Sequence, residues 1–203
     1  MENLTKQIHQ EYLEKLKFYR EFGYDIEVER NFILDNSKPL YGNILEVGTG
    51  KGSFTIALAK EGYRFTSVDA SKEQQKIGYL NLKHLGLDKQ VNFKIENGED
   101  LSFSDKNFDL VISVNMIHHL DQTSKILDEF TRILSFEGKI VLADFTKEGL
   151  EVINKIHFQQ GRWHRTEKVN FSKIEDYFNQ KDFIIERQRD KFQKILIAYH
   201  QII

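Results

Sequence analysis

The sequence predicts an α/β protein with a mostly parallel central sheet that is covered by helices on both faces. Two observations support this fold class. From Asn43 onward, short apolar strand patterns alternate with helical patterns for about a hundred residues. The chain then ends in two strand patterns joined by a short charged turn, which predicts a hairpin. Because a hairpin is antiparallel, the last strand is expected to run against the others.

An amphipathic helix is predicted at the start of the chain. Apolar residues recur every three or four positions from Leu4 to Phe22. An irregular connection, which ends at the only proline, Pro39, then leads to the first strand.

The remaining elements follow in regular order. Strands are predicted at NILEVG, RFTSVDAS, VNFKIENG, FDLVISVN and GKIVLADF. Helices are predicted at SFTIALAKEG, from about Lys72 to Leu85, at SKIEDYFNQ, and along an apolar stripe formed by Ile126, Leu127, Phe130, Ile133 and Leu134. With the terminal pair in FIIERQRDKFQKILIAYHQ, the result is a Rossmann-like, doubly wound sheet of seven strands, mostly parallel with an antiparallel C-terminal strand.

The composition narrows the possible functions. Apolar residues make up 40% of the 203 residues, including 16 Phe and 8 Tyr, which is enough for the core of one domain. The absence of cysteine removes disulfides, thiolate metal sites and cysteine nucleophiles. A formal net charge of −2 gives no reason to expect a nucleic-acid partner. Without an apolar run of membrane length or a signal-peptide pattern, we expect no membrane association and a cytoplasmic location.

The loop EVGTGKGS, residues 46–53, invites comparison with phosphate-binding loops. A Walker loop fails because Leu45 stands at its first glycine position and Gly52 follows the lysine. A dinucleotide fingerprint fails because Ser53 replaces its third glycine. The carboxylate of Glu46 would repel a pyrophosphate and would suit a cationic ligand, while the glycines allow a bulky ligand to approach the backbone. A purely structural turn is the alternative.

Glu46, the following glycines and Asp69 at the end of the second strand resemble the first two motifs of the class I S-adenosylmethionine-dependent methyltransferases. The resemblance extends from about Asn43 to Phe145, and the terminal hairpin agrees with it. It implies that the chain binds S-adenosylmethionine, whose ammonium and sulfonium agree with an acid at position 46. Length and composition predict a single domain over residues 1–203. Within it, residues 1–40 match nothing particular and by their position would form a helical lid, 41–146 would form the cofactor-binding core, and 147–203 the substrate-side helices and terminal hairpin.

The resemblance further implies where the cofactor binds. Asp69 would accept both ribose hydroxyls, although a carboxylate there could instead cap the next helix, for which Ser71 is the better candidate. Asn97 and Gly98 take the places of the acid and the small residue that read adenine in this family, and an amide oxygen can still accept from the adenine amino group. The predicted cofactor-binding residues are Glu46, Gly48, Gly50, Gly52, Asp69, Ala70, Asn97, Gly98, Glu99 and Asn115.

A histidine pair follows the fourth strand in SVNMIHHLD, where family members face both cofactor and substrate. His118 is the candidate general base, because an imidazole can take a proton from a hydroxyl, amine or thiol near neutral pH. Packing and hydrogen bonding at a helix start is the alternative for both His118 and His119. We expect no metal site, since adjacent histidines rarely converge on one ion and no third ligand is evident.

Further candidates for substrate binding lie outside the core. The segment KIHFQQGRWHRTEKV gathers His157, Arg162, Trp163, His164 and Arg165, which suit an anionic or aromatic substrate, or else form a solvated helix end and loop. Together with Tyr19 on the first helix, the predicted substrate-binding set is Tyr19, His157, Arg162 and His164.

The sequence favours a small molecule as methyl acceptor, through an O, N, S or C atom. Methylation at pyrimidine C5 generally needs a cysteine, and the motif typical of exocyclic amino methylation, with two prolines, is replaced by NMIHH. Three alternatives stay open. A nicotinamide-dependent oxidoreductase is disfavoured by Glu46 and the missing third glycine, and an aminopropyl transferase by the lack of further acids. The third is a non-catalytic module that binds S-adenosylmethionine or another protein.

Overall fold

The computed structural model describes residues 2–119, 123–161 and 171–201, apart from the side chain of His119. Within these ranges, one sheet of seven strands has the order β3-β2-β1-β4-β5-β7-β6. The strands are β1 Ile44–Val47, β2 Phe65–Asp69, β3 Val91–Ile95, β4 Phe108–Val114, β5 Leu134–Phe145, β6 Phe183–Arg189 and β7 Gln193–His200. The first five pair in parallel, and β7 lies antiparallel between β5 and β6. The predicted fold class is confirmed.

Helices cover both faces of the sheet. They are α1 Glu2–Glu21, α2 Ile26–Asn36, α3 Ser53–Lys60, α4 Lys72–His84, α5 Thr123–Ile133, α6 Lys147–Gln159 and α7 Phe171–Asn179, with short 3₁₀ turns at Asp88–Gln90 and Ile117–His119. Nowhere in the described ranges is a helix both long enough and apolar enough to cross a membrane.

Two hydrophobic cores lie on opposite faces of the sheet, because successive side chains of a strand point to opposite sides. In β4, Leu110 and Ile112 belong to one core and Val111 to the other. The first core packs against α1, α2, α3 and α6, and the second against α5 and α7. The two N-terminal helices therefore lie on the same face as the helix that follows β1.

The segment before Pro39 is not the irregular connection that the sequence pattern suggested, because it contains α2. Asp25 starts this helix by accepting hydrogen bonds from the backbone N–H groups of Glu27 and Val28, at 2.9 and 3.3 Å. Ile33 and Leu34 are buried in the core. Since Glu29 is also buried, a charged residue interrupts the apolar stripe and hides the helical periodicity.

The predicted apolar stripe of the fifth helix is one residue too long. The helix α5 ends at Ile133, and Leu134 instead pairs with Phe108 of β4 as the first residue of β5. A register shift follows between Phe108 and Leu110. Strand pairing thus determines the conformation of Leu134, which helical periodicity alone assigns to the helix.

Candidate functional site

The loop between β1 and α3 lies at the carboxyl edge of the sheet, beside the point between β1 and β4 where the strand order reverses. Such reversal points are where open α/β sheets bind their ligands. The Gly50 backbone has a φ of 50° and its N–H donates to Asp69 Oδ2 at 2.7 Å. A Cβ added at Gly50 would meet no atom within 4 Å. The loop is therefore tied to the end of β2 while its surface stays open.

Gly52, predicted to bind the cofactor, has a different neighbour. It precedes α3 with a φ of 85°, and a Cβ there would lie 2.9 Å from the Gly78 Cα of α4. A side chain at position 52 would push these two helices apart. The structure therefore explains Gly52 by close packing of α3 against α4, and its contact with a cofactor stays a prediction.

Glu46 ends a buried chain of hydrogen bonds. Its carboxylate lies 2.6 Å from Ser67 Oγ and 2.8 Å from Thr55 Oγ1, and both hydroxyls donate to it. Because Ser67 has only one proton, its oxygen accepts from Thr49 Oγ1 at 2.6 Å. Thr49 in turn accepts from Gln75 Nε2 at 3.1 Å. Every donor along this chain points toward Glu46.

This environment changes the interpretation of Glu46. The side chain is buried, and it is not one of the residues that line the two cavities described below. Burial raises its pKa to about 7, against the hydrogen bonds from Ser67 and Thr55, which lower it. Glu46 is therefore enclosed by the hydroxyl groups of its neighbours and does not reach the surface of either cavity. A direct contact with a cationic ligand stays a prediction.

The raised pKa of Glu46 makes folding stability depend on pH. The folded protein binds an extra proton between the ordinary pKa of 4.5 and the folded value of about 7. This contribution to stability is complete below the ordinary pKa and is lost as the pH rises through the folded pKa. We expect the free energy of unfolding of the wild type to fall, relative to the neutral variant Glu46→Gln, between about pH 5 and about pH 8.

Urea unfolding of both proteins across this pH range measures the difference. Glu46→Gln is the reference for all other groups that titrate in this range, because the two proteins differ only at position 46. If the free energies of unfolding of the two proteins changed in parallel with pH, the raised pKa of Glu46 would be contradicted.

Asp69 links the glycine loop to the start of α4. Its Oδ2 accepts from Gly50 N–H and its Oδ1 accepts from Ser71 N–H at 2.8 Å. The cap of α4 is Ser71, whose hydroxyl accepts from Gln74 N–H, as the sequence suggested. Each carboxylate oxygen of Asp69 keeps a further lone pair for a hydroxyl donor. The predicted ribose contact is compatible with this geometry, and the neighbouring Ala70 is exposed.

The predicted adenine-reading residues lie in a turn after β3. Asn97 is exposed, and its Oδ1 accepts from Glu99 N–H at 3.0 Å. A Cβ at Gly98 would lie 2.7 Å from Ile126 Cδ1, so a side chain there would have to displace the end of the Ile126 side chain of α5. The roles of Asn97, Gly98 and Glu99 in binding adenine stay predictions.

Two joined cavities open beside the glycine loop. The larger, of about 330 Å³, is lined by Lys15, Tyr19, Arg30, Gly48, Thr49, Gly50, Lys51, Ser53, Phe54, Gln74, Val114, Asn115 and His157. The smaller, of about 160 Å³, is lined by Lys15, Tyr19, Tyr24, Ile26, Arg30, Asn115, His118, Phe145, Ile153 and His157. The residues common to both are Lys15, Tyr19, Arg30, Asn115 and His157. The two cavities thus share one wall.

Asn115 stands at the boundary between the cavities, at the end of β4, with a φ of 52°. In the amide orientation that satisfies its neighbours, its oxygen accepts from the Arg30 guanidinium at 2.9 and 3.2 Å and its nitrogen donates to Gln193 Oε1 at 2.9 Å. Gln193 Nε2 donates to the Tyr24 hydroxyl at 2.8 Å. Asn115 was predicted, whereas Arg30, Gln193 and Tyr24 were missed. A correctly identified α2 would have drawn attention to Arg30.

His118 lines the smaller cavity and is paired with a buried acid. Its Nδ1 lies 2.8 Å from Asp144 Oδ1, and its backbone N–H donates to Asp144 Oδ2 at 3.1 Å. Asp144 is fully buried near the end of β5 and also accepts from Phe145 N–H. Sequence analysis missed Asp144, although it follows a predicted strand pattern as Asp69 does.

Two of the predicted substrate-binding residues meet in the cavities. The Tyr19 hydroxyl lies 3.4 Å from His157 Nε2, which brings α1 and α6 together. The other two, Arg162 and His164, lie outside the described residues, as do Trp163 and Arg165. In the described part of the chain, no group of three or more His, Asp or Glu side chains is arranged to hold a metal ion.

Comparison with known proteins gives a consistent result. Residues 45–142 match the family model described as a methyltransferase domain. The ajmaline N-methyltransferase of Rauvolfia serpentina is 31% identical over 101 residues, which cover 49% of this chain and 35% of that protein. The demethylmenaquinone methyltransferase of Bacteroides fragilis is 30% identical over 105 residues, covering 51% and 43%. The matched region thus spans less than half of each of these relatives.

The solved structures include similar folds. A crystal structure of an S-adenosylmethionine-dependent methyltransferase from Aquifex aeolicus superposes with a TM-score of 0.65 at 17% identity, over 83% of this chain and 88% of that one. The matched family model covers β1, the glycine loop and the strands up to most of β5, whereas much of the cavity lining comes from α1, α2 and α6 outside it. Residues 45–142 of this chain therefore form a class I S-adenosylmethionine-dependent methyltransferase domain.

Proposed function

We propose that the chain transfers a methyl group from S-adenosylmethionine to a small-molecule acceptor. The observation that carries this proposal is the pair of joined cavities, one lined by the glycine loop and the other by His118. Methyl transfer needs the acceptor atom and the methyl carbon in contact and in line, away from water. Adjoining cavities with shared walls meet this requirement.

The residues of the larger cavity fit the cofactor. A Cβ at Gly50 would project into open space at the loop surface, so the glycine leaves room for a bulky ligand. Asp69 does not line this cavity, but it accepts from the N–H of the lining residue Gly50 and has lone pairs for the ribose hydroxyls. Lys15 and Lys51 line the cavity and can pair with the carboxylate of the cofactor. When bound, S-adenosylmethionine supplies an activated methyl group on a sulfonium sulfur.

His118 would take the proton of the acceptor. A carboxylate only accepts hydrogen bonds, so the ionised Asp144 requires the proton of a neutral His118 to be on Nδ1. Nε2 then carries the lone pair and accepts the proton from a hydroxyl, amine or thiol. Asp144 is a positioning residue that fixes the tautomer and the ring orientation, as second partners of histidines commonly do.

The relatives support a small acceptor. Their names specify N-methylation of ajmaline and methylation of demethylmenaquinone, both small organic molecules. The sequence departs from the nucleic-acid methylation patterns at NMIHH, as described above. The small-molecule acceptor and the cytoplasmic location both stay predictions.

The test is transfer of a labelled methyl group from S-adenosylmethionine to a panel of small alcohols, phenols, amines, thiols and carboxylic acids. With an accepted substrate, we expect His118→Gln to lower kcat by about 10²- to 10⁴-fold, the usual contribution of a general base, and to leave KM nearly unchanged. The matched control is His84→Gln, which removes an exposed histidine of α4 that stacks on His9. Equal kcat in both variants would contradict the role of His118. Retained binding of S-adenosylhomocysteine without transfer to any acceptor would favour a non-catalytic module.

A further inference from the structure

The joined cavities carry an excess of positive charge. Their lining residues in the described part of the chain include Lys15, Arg30 and Lys51 but no Asp or Glu. S-adenosylmethionine adds to this excess, because it has two positively charged groups, the ammonium and the sulfonium, and only one carboxylate. Its single carboxylate can pair with only one of Lys51 and Arg30, neither of which forms an ion pair with a described residue. Electrostatic complementarity therefore calls for a second anionic group in the site.

Asp69 and Asp144 hydrogen-bond the lining residues Gly50 and His118 and offset part of this charge, but neither forms an ion pair with Arg30. Two other acids offset less of it. Glu29 and Glu46 are both buried behind the cavities and interact with Arg30 through their charges. Burial is the main cause that raises the pKa of each carboxyl to about 7. Each is therefore partly protonated near neutral pH, and a third acid, Asp190, opposes the ionisation of Glu29.

Arg30 is held in place by neutral partners. The oxygen of Asn115 accepts from both terminal nitrogens of its guanidinium, and Gln193 fixes the Asn115 amide in turn. Among the described residues, Arg30 forms no ion pair. A guanidinium has five N–H donors, so donors remain for the two oxygens of a carboxylate. Arg30 is thus oriented at the boundary of the cavities and ready to bind an anion.

The lining and the volume of the smaller cavity indicate what the ligand contains besides its anionic group. Its apolar walls are Ile26, Phe145 and Ile153, with the ring of Tyr24 beside them. Its volume is about 160 Å³. An apolar protein cavity of about 150 Å³ can hold a benzene ring, so a group of this size fits. His118 lies in the same cavity as Arg30, so an acid bound by Arg30 would present its other atoms to the proposed base.

We propose that the acceptor is a small carboxylic acid with an apolar body of about one ring, and that Arg30 binds its carboxylate. This inference rests on the proposed function of the cavities. A competing role for Arg30 is to bind the carboxylate of the cofactor itself, since Arg30 lines both cavities. The two roles differ in which ligand loses affinity when Arg30 is replaced.

Calorimetry on the complex with S-adenosylhomocysteine tests the proposal with matched acids and amides. The probes are benzoate against benzamide and 3-methylbutanoate against 3-methylbutanamide. For at least one pair, we expect the acid to bind about tenfold or more tightly than its amide, as for a charge-assisted hydrogen-bonded pair. Arg30→Gln should abolish the preference, and Arg30→Lys should keep part of it. Lys17→Gln, an exposed cation of α1 outside the cavities, is the control for loss of one charge.

The outcomes are distinct. No preference for either acid in the wild type, or a preference that survives in Arg30→Gln, overturns the proposal. A second result would also overturn it: Arg30→Gln binds S-adenosylhomocysteine more weakly than the wild type but binds 5′-methylthioadenosine, which lacks the amino-acid group, with unchanged affinity. Arg30 would then bind the carboxylate of the cofactor. If the wild type bound no S-adenosylhomocysteine at all, the proposed function itself would fail, independently of Arg30. Thermal unfolding of each variant verifies that it is folded.

Discussion

Replacement of Gly50 by valine is expected to abolish measurable binding of S-adenosylhomocysteine. The position has a φ of 50°, and a side chain there would project into open space at the surface of the larger cavity. A β-branched residue in this left-handed conformation costs about 1 to 3 kcal/mol, and relaxation of that strain would break the hydrogen bond from Gly50 N–H to Asp69. We expect at least a hundredfold loss of affinity, or about 3 kcal/mol, by calorimetry.

Gly62→Val is the matched control for this prediction. Gly62 also has a positive φ, of 88°, and a Cβ there would likewise meet no atom within 4 Å, but it lies in the turn after α3 and does not line either cavity. Both variants should lose similar stability in urea unfolding, and only the Gly50 variant should lose the ligand. If both bound S-adenosylhomocysteine with similar affinity, the loop would not be the cofactor site.

Asp69→Ala is expected to weaken S-adenosylhomocysteine binding by about 1 to 3 kcal/mol, or about 5- to 150-fold, the loss typical of charge-assisted hydrogen bonds. The carboxylate also holds Gly50 N–H and Ser71 N–H, so part of the loss could come from a loosened loop. A double-mutant cycle with the 2′-deoxy analogue of S-adenosylhomocysteine separates the two effects.

In this cycle, removal of the ribose 2′-hydroxyl should cost affinity in the wild type and almost none in Asp69→Ala. Equal penalties in the two proteins would mean that Asp69 orders the loop and does not bind the ribose. Asp88→Ala, which removes an acid from the 3₁₀ turn before β3, controls for the change of net charge.

The sequence predicts the parts of the fold that depend on local patterns. Apart from α6, for which no helix was predicted, the order of strands and helices from β1 onward and the antiparallel end follow from periodicity and from the hairpin. The pattern fails at α2, where the buried Glu29 interrupts the apolar stripe, and at Leu134, where pairing with Phe108 outweighs helical periodicity. Both failures come from contacts between distant parts of the chain.

In the candidate site too, residues that follow local sequence patterns were predicted, and residues that depend on distant contacts were missed. Gly50, Asp69, Asn115 and His118 were found because each lies at or just after the carboxyl end of a strand, or in the loop that follows it. Arg30 was missed because its role depends on tertiary contact between α2 and the end of β4.

The glycines show a further limit of sequence reasoning. A glycine that leaves a cavity open and a glycine that allows two elements to pack look alike in a motif. Gly50 faces open space, whereas Gly52 touches Gly78 and Gly98 touches Ile126. Likewise, the sequence indicates an acid at position 46 but not that its carboxylate is enclosed by the hydroxyls of neighbouring elements.

Titration of the wild-type protein with S-adenosylhomocysteine and, separately, with NADH tests the central claim most directly. A class I methyltransferase site predicts one S-adenosylhomocysteine per chain, with a dissociation constant in the micromolar range, or about −8 kcal/mol, and no saturable binding of NADH. The glycine loop lacks the third glycine of a dinucleotide site, so NADH should find no dinucleotide fingerprint there. Tight binding of NADH without binding of S-adenosylhomocysteine would contradict this assignment.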